Sequence, residues 1–151
     1  MKAFVLIGAP GSGKSTLASM FQQHESAFIV NGDNIREELY GDAAIQGNWV
    51  EVHDRIEEQV GQAAERGLPV VLDNTHYRAS YRKEAIALLR SYGFEDITAV
   101  VVNPSLATCL ARNFKRKRHV PDYVIKEMHS KLQQSLQNIE AEGFNFVTYA
   151  R

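Results

Sequence analysis

The residues Gly8-Ala9-Pro10-Gly11-Ser12-Gly13-Lys14-Ser15, followed by Thr16, have the types and spacing needed to hold a polyphosphate. Gly8, Gly11 and Gly13 let the backbone curl so that successive amides point at one anion. A helix starting behind the loop adds partial positive charge at the same place. Lys14 is expected to reach the β- and γ-phosphates of ATP, and the Ser15 hydroxyl to ligate Mg²⁺. Pro10, Ser12 and Thr16 belong to the same ATP-binding loop. A chance glycine-rich turn is the competing explanation. It is weakened because the pattern matches without a mismatch, directly after an apolar run and directly before a helical one.

Two carboxylates follow apolar runs further along. Asp33 ends the second, with Arg36 three residues on. A carboxylate beside the γ-phosphate can accept the proton of an attacking hydroxyl while an arginine steadies the acceptor. Asp33 could equally cap a helix beginning at Asn34, and the two roles are compatible. Asp73 closes Val70-Val71-Leu72-Asp73, where an acid could support Mg²⁺ or orient the site; a turn cap is the plainer alternative. Finally, the eight residues from Arg112 to His119 hold five cations, Arg112, Lys115, Arg116, Lys117 and Arg118. With a net charge of −1 for the whole chain, the remainder sums to −6. Such a run is usually a solvated face. Placed between two helices after a strand, it reads as a lid over about residues 112–121, whose arginines neutralise transition-state charge. The surplus cations suit a nucleic-acid backbone.

The elements that must position these groups alternate between strand-like and helical patterns. Strands are expected at Ala3–Ile7, Ala27–Val30, Pro69–Leu72, Ile97–Val102 and Phe144–Tyr149. Helices are expected at Gly13–Gln22, Asn34–Tyr40, Asn48–Arg66, around Tyr81–Tyr92, from Ser105 to Ala111 where the basic stretch interrupts, and over Ile125–Ile139. The pattern predicts an α/β fold, a five-stranded parallel sheet with helices on both faces and a basic lid. Ligands in such sheets bind beyond the carboxyl ends of the strands, where Gly8, Asp33 and Asp73 fall. The 151 residues suit one domain, with 44% hydrophobic and 23% charged residues. One cysteine excludes an intrachain disulfide and points to a reducing, cytoplasmic setting. No apolar run approaches a membrane span.

Other residues have plain expectations. Trp49, at a helix start, is expected to anchor the core, although it could stack on a base. His53 and His76 are expected to be structural or merely polar, with no metal-like cluster of His, Cys and carboxylates. Cys109 falls on a buried helical face, and Phe114 either packs the lid or stacks on a base.

Taken together, Gly8 to Thr16, Asn-x-Asp-x-x-Arg at Asn31, Asp33 and Arg36, Asp73-Asn-Thr, and Arg112-Asn-x-x-Arg116 resemble the P-loop polynucleotide 5′-hydroxyl kinase family, including the phage enzyme's kinase domain. The resemblance covers nearly the whole chain. It implies ATP and Mg²⁺ as cofactors and a nucleic-acid 5′-hydroxyl as acceptor. It also implies Asp33 as general base and Arg36 on the acceptor phosphate. Asp73 would pair with Arg36, Arg116 would be the lid arginine, and Arg112 would lie against the nucleotide. The phosphatase domain of the phage enzyme has no counterpart here, so the chain is expected only to add phosphate. Gly32 stands where the family pattern leads one to expect a basic residue. A small-molecule hydroxyl kinase and a nucleotide-gated binding module or ATPase are the rival readings.

Overall fold

The computed structural model describes residues 1–117 and 119–150. Arg118, one of the five cations of the basic segment, lies outside the described residues. The order of elements is β1 (Lys2–Ile7), α1 (Lys14–Glu25), β2 (Phe28–Asn31), α2 (Gly32–Tyr40), α3 (Trp49–Glu65), β3 (Val70–Asp73), α4 (Ala79–Ser91), β4 (Asp96–Val102), α5 (Leu106–Phe114), α6 (Asp122–Ser135), a 3₁₀ helix (Leu136–Ala141) and β5 (Phe146–Ala150). All strand pairs are parallel and the sheet order is β2-β3-β1-β4-β5. The chain winds first to one side of β1 and then to the other.

The continuous apolar runs expected of doubly covered strands are buried on both faces. Ala3, Val5 and Ile7 of β1 face one core with Val52, Ile56 and Val60 of α3, Leu89 of α4 and Leu132 of α6. The alternate residue Leu6 joins Ala18 of α1, Val71 and Val100 on the other face, with half-buried Phe4 and Phe21 against them. A third cluster of Ala9, Cys109 and Ile125 seats α5 and α6 beside the glycine-rich loop, so Cys109 is buried as its helical position indicated.

Register brings the carboxyl ends into line. Leu6 of β1 and Asn31 of β2 both sit level with Asp73 of β3. The loop after β1 therefore opens beside Asp73 and the start of α2.

Two helical expectations needed correction. The single long helix over Ile125–Ile139 is α6 followed by the 3₁₀ turn, with a non-helical backbone at Asn138 (φ −117°, ψ 21°). The apolar spacing survived that kink because Ile139 is buried in the same core. The basic stretch also does not interrupt α5 at Ala111, since the helix runs on to Phe114. Among the described residues, no helix is long and apolar enough to cross a membrane.

Candidate active site

The phosphate loop has the backbone its glycines allow. Gly11 (φ 82°) and Gly13 (φ 102°) are left-handed, a region that costs other residues energy. A Cβ on Gly11 would collide with the Cys109 carbonyl of α5, so the loop packs directly on that helix. A Cβ on Gly8 would collide with the Val102 carbonyl, and Gly8 N–H donates to Thr75 O at 3.0 Å. Helix α1 starts at Lys14 and, among the described residues, has no side-chain cap on its amides and no acid in its first turn. Its positive end is thus left available to an anion.

Lys14 is buried and folds back so that Nζ donates to Ala9 O at 3.1 Å. Burial lowers its pKa from 10.5 to about 8; the carboxylates of Asp73 and Asp33 counter part of that drop, and Arg116 adds to it. Ser15 Oγ donates to Asp73 Oδ2 at 3.1 Å, and Asn31 Nδ2 donates to the same oxygen at 2.9 Å. A hydroxyl and a carboxylate held together are hard oxygen donors, which fit Mg²⁺.

Asp33 does not cap its helix. The cap is Asn31, whose side chain accepts from Asn34 N at 3.0 Å. This places Asp33 in the first turn of α2 with its carboxylate about half exposed, 54%, and free to meet a ligand. Arg36 also departs from the implied pairing. It lies three residues along the same helical face and meets Asp33 Oδ1 at 3.4 Å, while Asp73 is engaged by Ser15 and Asn31. Among the described residues, the buried Arg36 Nε has no hydrogen-bond partner, and neither does Ser12 Oγ. The glycine at position 32 has a steric reason: a Cβ there would collide with Asn74 Oδ1, which accepts from Gly32 N at 3.0 Å. A side chain at position 32 would have to displace the Asn74 amide and break its bond to the Gly32 amide.

From the other side, Arg112 Nη1 donates to Ser12 O at 2.7 Å, tying α5 to the loop. Asn113, buried beside it, bonds both ways with Val120: Nδ2 to the carbonyl at 2.7 Å and Oδ1 from the amide at 3.0 Å. It thereby staples the two ends of the basic segment. Phe114 does not pack the segment onto the core; it is 78% exposed and stacks on His119 with centroids 6.0 Å apart.

The floor beyond Asp73 is built from residues that sequence reasoning did not single out as a unit. His76 Nδ1 is 2.7 Å from Leu6 O. A carbonyl only accepts, so that nitrogen carries the proton. Burial lowers the pKa of His76 from 6.5 to about 4, keeping it neutral. Arg82 is fully buried, bonding the His76 carbonyl at 2.9 Å, Ser135, and Glu142 through a two-pronged pair at 2.6 and 2.7 Å. Ser135 Oγ in turn holds the Tyr77 carbonyl at 2.8 Å. An arginine one turn into α4 looks like surface in sequence, because its side-chain partners Ser135 and Glu142 lie more than fifty residues away.

One cleft of about 710 Å³ gathers most of the sequence candidates: Pro10, Gly11, Gly13, Lys14, Ser15, Thr16, Asp33, Arg36, Asp73, Arg112 and Arg116. Gly8 and Ser12 belong to the loop but do not line the cleft: Gly8 packs against the Val102 carbonyl and Ser12 is buried. Trp49 lines the same cleft at 50% exposure and is therefore not the expected core anchor. His53, Asp54 and Glu57 also correct an expectation, since each brings a ligand-type atom within 4.8 Å of the others. Glu57 is already engaged by the Tyr92 hydroxyl at 2.9 Å.

Several known proteins are similar. The L-seryl-tRNA(Sec) kinase of Methanococcus maripaludis is 27% identical over 133 residues, covering 84% of this chain and 51% of the relative. The adenylyl-sulfate kinase of Enterobacter sp. (strain 638) is 31% identical over 114 residues, 72% of this chain and 55% of the relative. The chain thus spans about half the length of these curated relatives. A solved structure of the Pnkp1/Rnl/Hen1 RNA repair complex superposes with a TM-score of 0.80 over 91% of this chain and 46% of that one, at 23% identity. That last likeness is one of fold. Residues 4–135 match the AAA domain family, and the chain belongs to it, with the five-stranded parallel sheet of a P-loop kinase fold.

Proposed function

We propose that the chain is an ATP- and Mg²⁺-dependent kinase that transfers the γ-phosphoryl group to the 5′-hydroxyl of a DNA or RNA strand. The observation that carries this reading is the single cleft in which Lys14, Asp33, Arg36, Asp73 and Arg116 converge. Phosphoryl transfer needs alignment and charge stabilisation more than covalent chemistry from the protein. Loop amides, the α1 terminus and Lys14 hold the donor phosphates. Ser15 and Asp73 would hold Mg²⁺, which supplies charge neutralisation on the phosphates when bound.

The half-exposed Asp33 carboxylate takes the proton as the acceptor oxygen bonds to the γ-phosphorus. The bond from that phosphorus to the β–γ bridging oxygen breaks, and ADP leaves. Arg36, which lines the cleft beside Asp33, steadies the acceptor phosphate. Arg116 neutralises the transferring group, a role worth about 10³–10⁵ in rate in related enzymes. The two relatives, a kinase of L-seryl-tRNA(Sec) and a kinase of adenylyl sulfate, support phosphoryl transfer as the chemistry; the nucleic-acid acceptor rests on the cleft and the basic segment. A reducing, cytoplasmic setting goes with this reading.

Incubation with labelled ATP and either a 5′-hydroxyl oligonucleotide or a panel of small hydroxyl compounds tests the claim. Label on the oligonucleotide is the expected result, and label on small compounds alone would overturn it. Asp33→Asn should lower kcat by at least about 100-fold, the lower range for general-base catalysis, while leaving ATP affinity nearly unchanged. Retained transfer would remove Asp33 from the base role and favour a different acceptor geometry.

A further inference from the structure

The cleft also carries an aromatic and apolar wall. Trp49 and His53 line it from α3, Tyr77 and Tyr81 from the β3–α4 side, and Val124 and Met128 from α6. Trp49 is half exposed there, although a tryptophan's large apolar area normally rewards burial. His53, four residues on and hence on the same helical face, lies with its ring centroid 5.9 Å from the indole at 57°. Tyr77 and Tyr81 form an edge-on pair with centroids 5.6 Å apart, and the Arg78 guanidinium lies 5.4 and 6.0 Å from their rings.

The placement of Trp49 is built into the fold. Asn48 caps α3 and receives a hydrogen bond from its own neighbour Val50 at 2.8 Å. The Tyr40 hydroxyl, at the end of α2, accepts from Asn48 N at 3.1 Å and donates to Glu51 at 3.0 Å. Gly47 passes so close to the Tyr40 ring that a Cβ would collide with it. The start of α3 is therefore fixed to α2, which carries Asp33 and Arg36. Trp49 is held on the acceptor's side of the site.

We infer that Trp49 forms a stacking subsite for the base of the acceptor's terminal nucleoside, next to the hydroxyl that receives the phosphate. The inference rests on the phosphotransferase reading with a polynucleotide acceptor. Aromatic faces accept any base through its π surface, while Arg36 in the same cleft suits the phosphate that follows it. A sulfate would leave this wall unused, and a sugar would meet it with C–H groups rather than a flat π face. Among acceptors, the fit is to one with a flat ring and an anion a short distance away.

Trp49 is the only tryptophan in the chain, so its fluorescence reports on this subsite alone. The protein, with a non-hydrolysable ATP analogue bound, would be titrated with a 5′-hydroxyl oligonucleotide and with the same strand abasic at its first residue. The intact strand should quench Trp49 and the abasic strand should not. In steady-state assays the abasic strand should show a KM for acceptor raised about 5- to 100-fold, the usual range for one stacked base. Trp49→Ala should reproduce that rise with the intact strand, Trp49→Phe should recover most of it, and both should leave the KM for ATP unchanged.

Equal quenching and equal KM for the two strands would overturn the subsite while leaving the kinase reading in place. Full quenching by the ATP analogue alone would overturn it too, by giving the indole to the donor base. No transfer to either strand would overturn the polynucleotide reading itself, and the subsite with it.

Discussion

At the scale of single residues, Lys14 shows how a binding group is held at the expense of the empty fold. Its ammonium is buried, with a carbonyl at 3.1 Å as its hydrogen-bond acceptor, and desolvation lowers its pKa to about 8. A triphosphate arriving beside it supplies the missing negative charge and should raise that pKa again. Binding at pH 8.5 should therefore take up a proton, whereas binding at pH 6.5 should not, because Lys14 is then already charged. Calorimetric titration with ATP in two buffers of different ionisation enthalpy would read the difference directly, and equal proton uptake at both pH values would refute it. Lys14→Met keeps an unbranched side chain only one heavy atom shorter and removes the charge. It should abolish ATP binding yet raise the Tm of the unliganded protein by about 2–4 °C, the shift that about 1 kcal/mol gives in a domain of this size. A lower Tm would mean that the hydrogen bond to Ala9 outweighs the buried charge.

At the scale of elements, the segment joining β3 to α4 is the piece whose rigidity the site depends on. His76 sits at φ 46°, and its ring, its carbonyl and the Tyr77 carbonyl are all engaged by other elements. Its folded pKa of about 4 lies below the unfolded 6.5. The unfolded chain thus binds the proton first, and stability falls as pH drops from 6.5 towards 4. That loss is on the order of 3 kcal/mol by pH 4, measurable as a shift in urea midpoint. His76→Asn tolerates the left-handed backbone and can still donate to Leu6, so it should flatten this acid limb; an unchanged limb would assign it to the carboxylates. The strand ends and the phosphate loop were legible from the chain alone, because each depends on local residue types and their period. The Asp33 cap, the Arg36 partner and the burial of Trp49 were not. Each was decided by which neighbour the register delivered: Asn31 took the cap, Ser15 and Asn31 took Asp73, and Tyr40 fixed the start of α3 so that Trp49 faces the cleft. Arg82 had no local signal at all, its partners being at Ser135 and Glu142.

At the scale of the whole molecule, a net charge of −1 generates little long-range attraction for a polyanion. Any grip on nucleic acid must be local, and residues 112–119 are where it would arise. Arg112 is committed to Ser12, and Arg116 turns into the cleft. Lys115 and Lys117 are exposed. Screening limits their reach to about 8–10 Å at ordinary ionic strength, so they act only on a strand lying across the segment. Each phosphate neutralised on a single strand contributes about −0.7 to the slope of log affinity against log salt. Changing Lys115 and Lys117 together to glutamine should then raise the KM for an oligonucleotide and flatten its salt slope by about 1.4. The KM for ATP should stay where it is, because Lys14, Arg112 and Arg116 are untouched. A mononucleotide acceptor, too short to reach the segment, should not respond to the double change. If the oligonucleotide slope is also unmoved, the two lysines are solvated surface, and acceptor binding is carried inside the cleft by Arg36 and the aromatic wall.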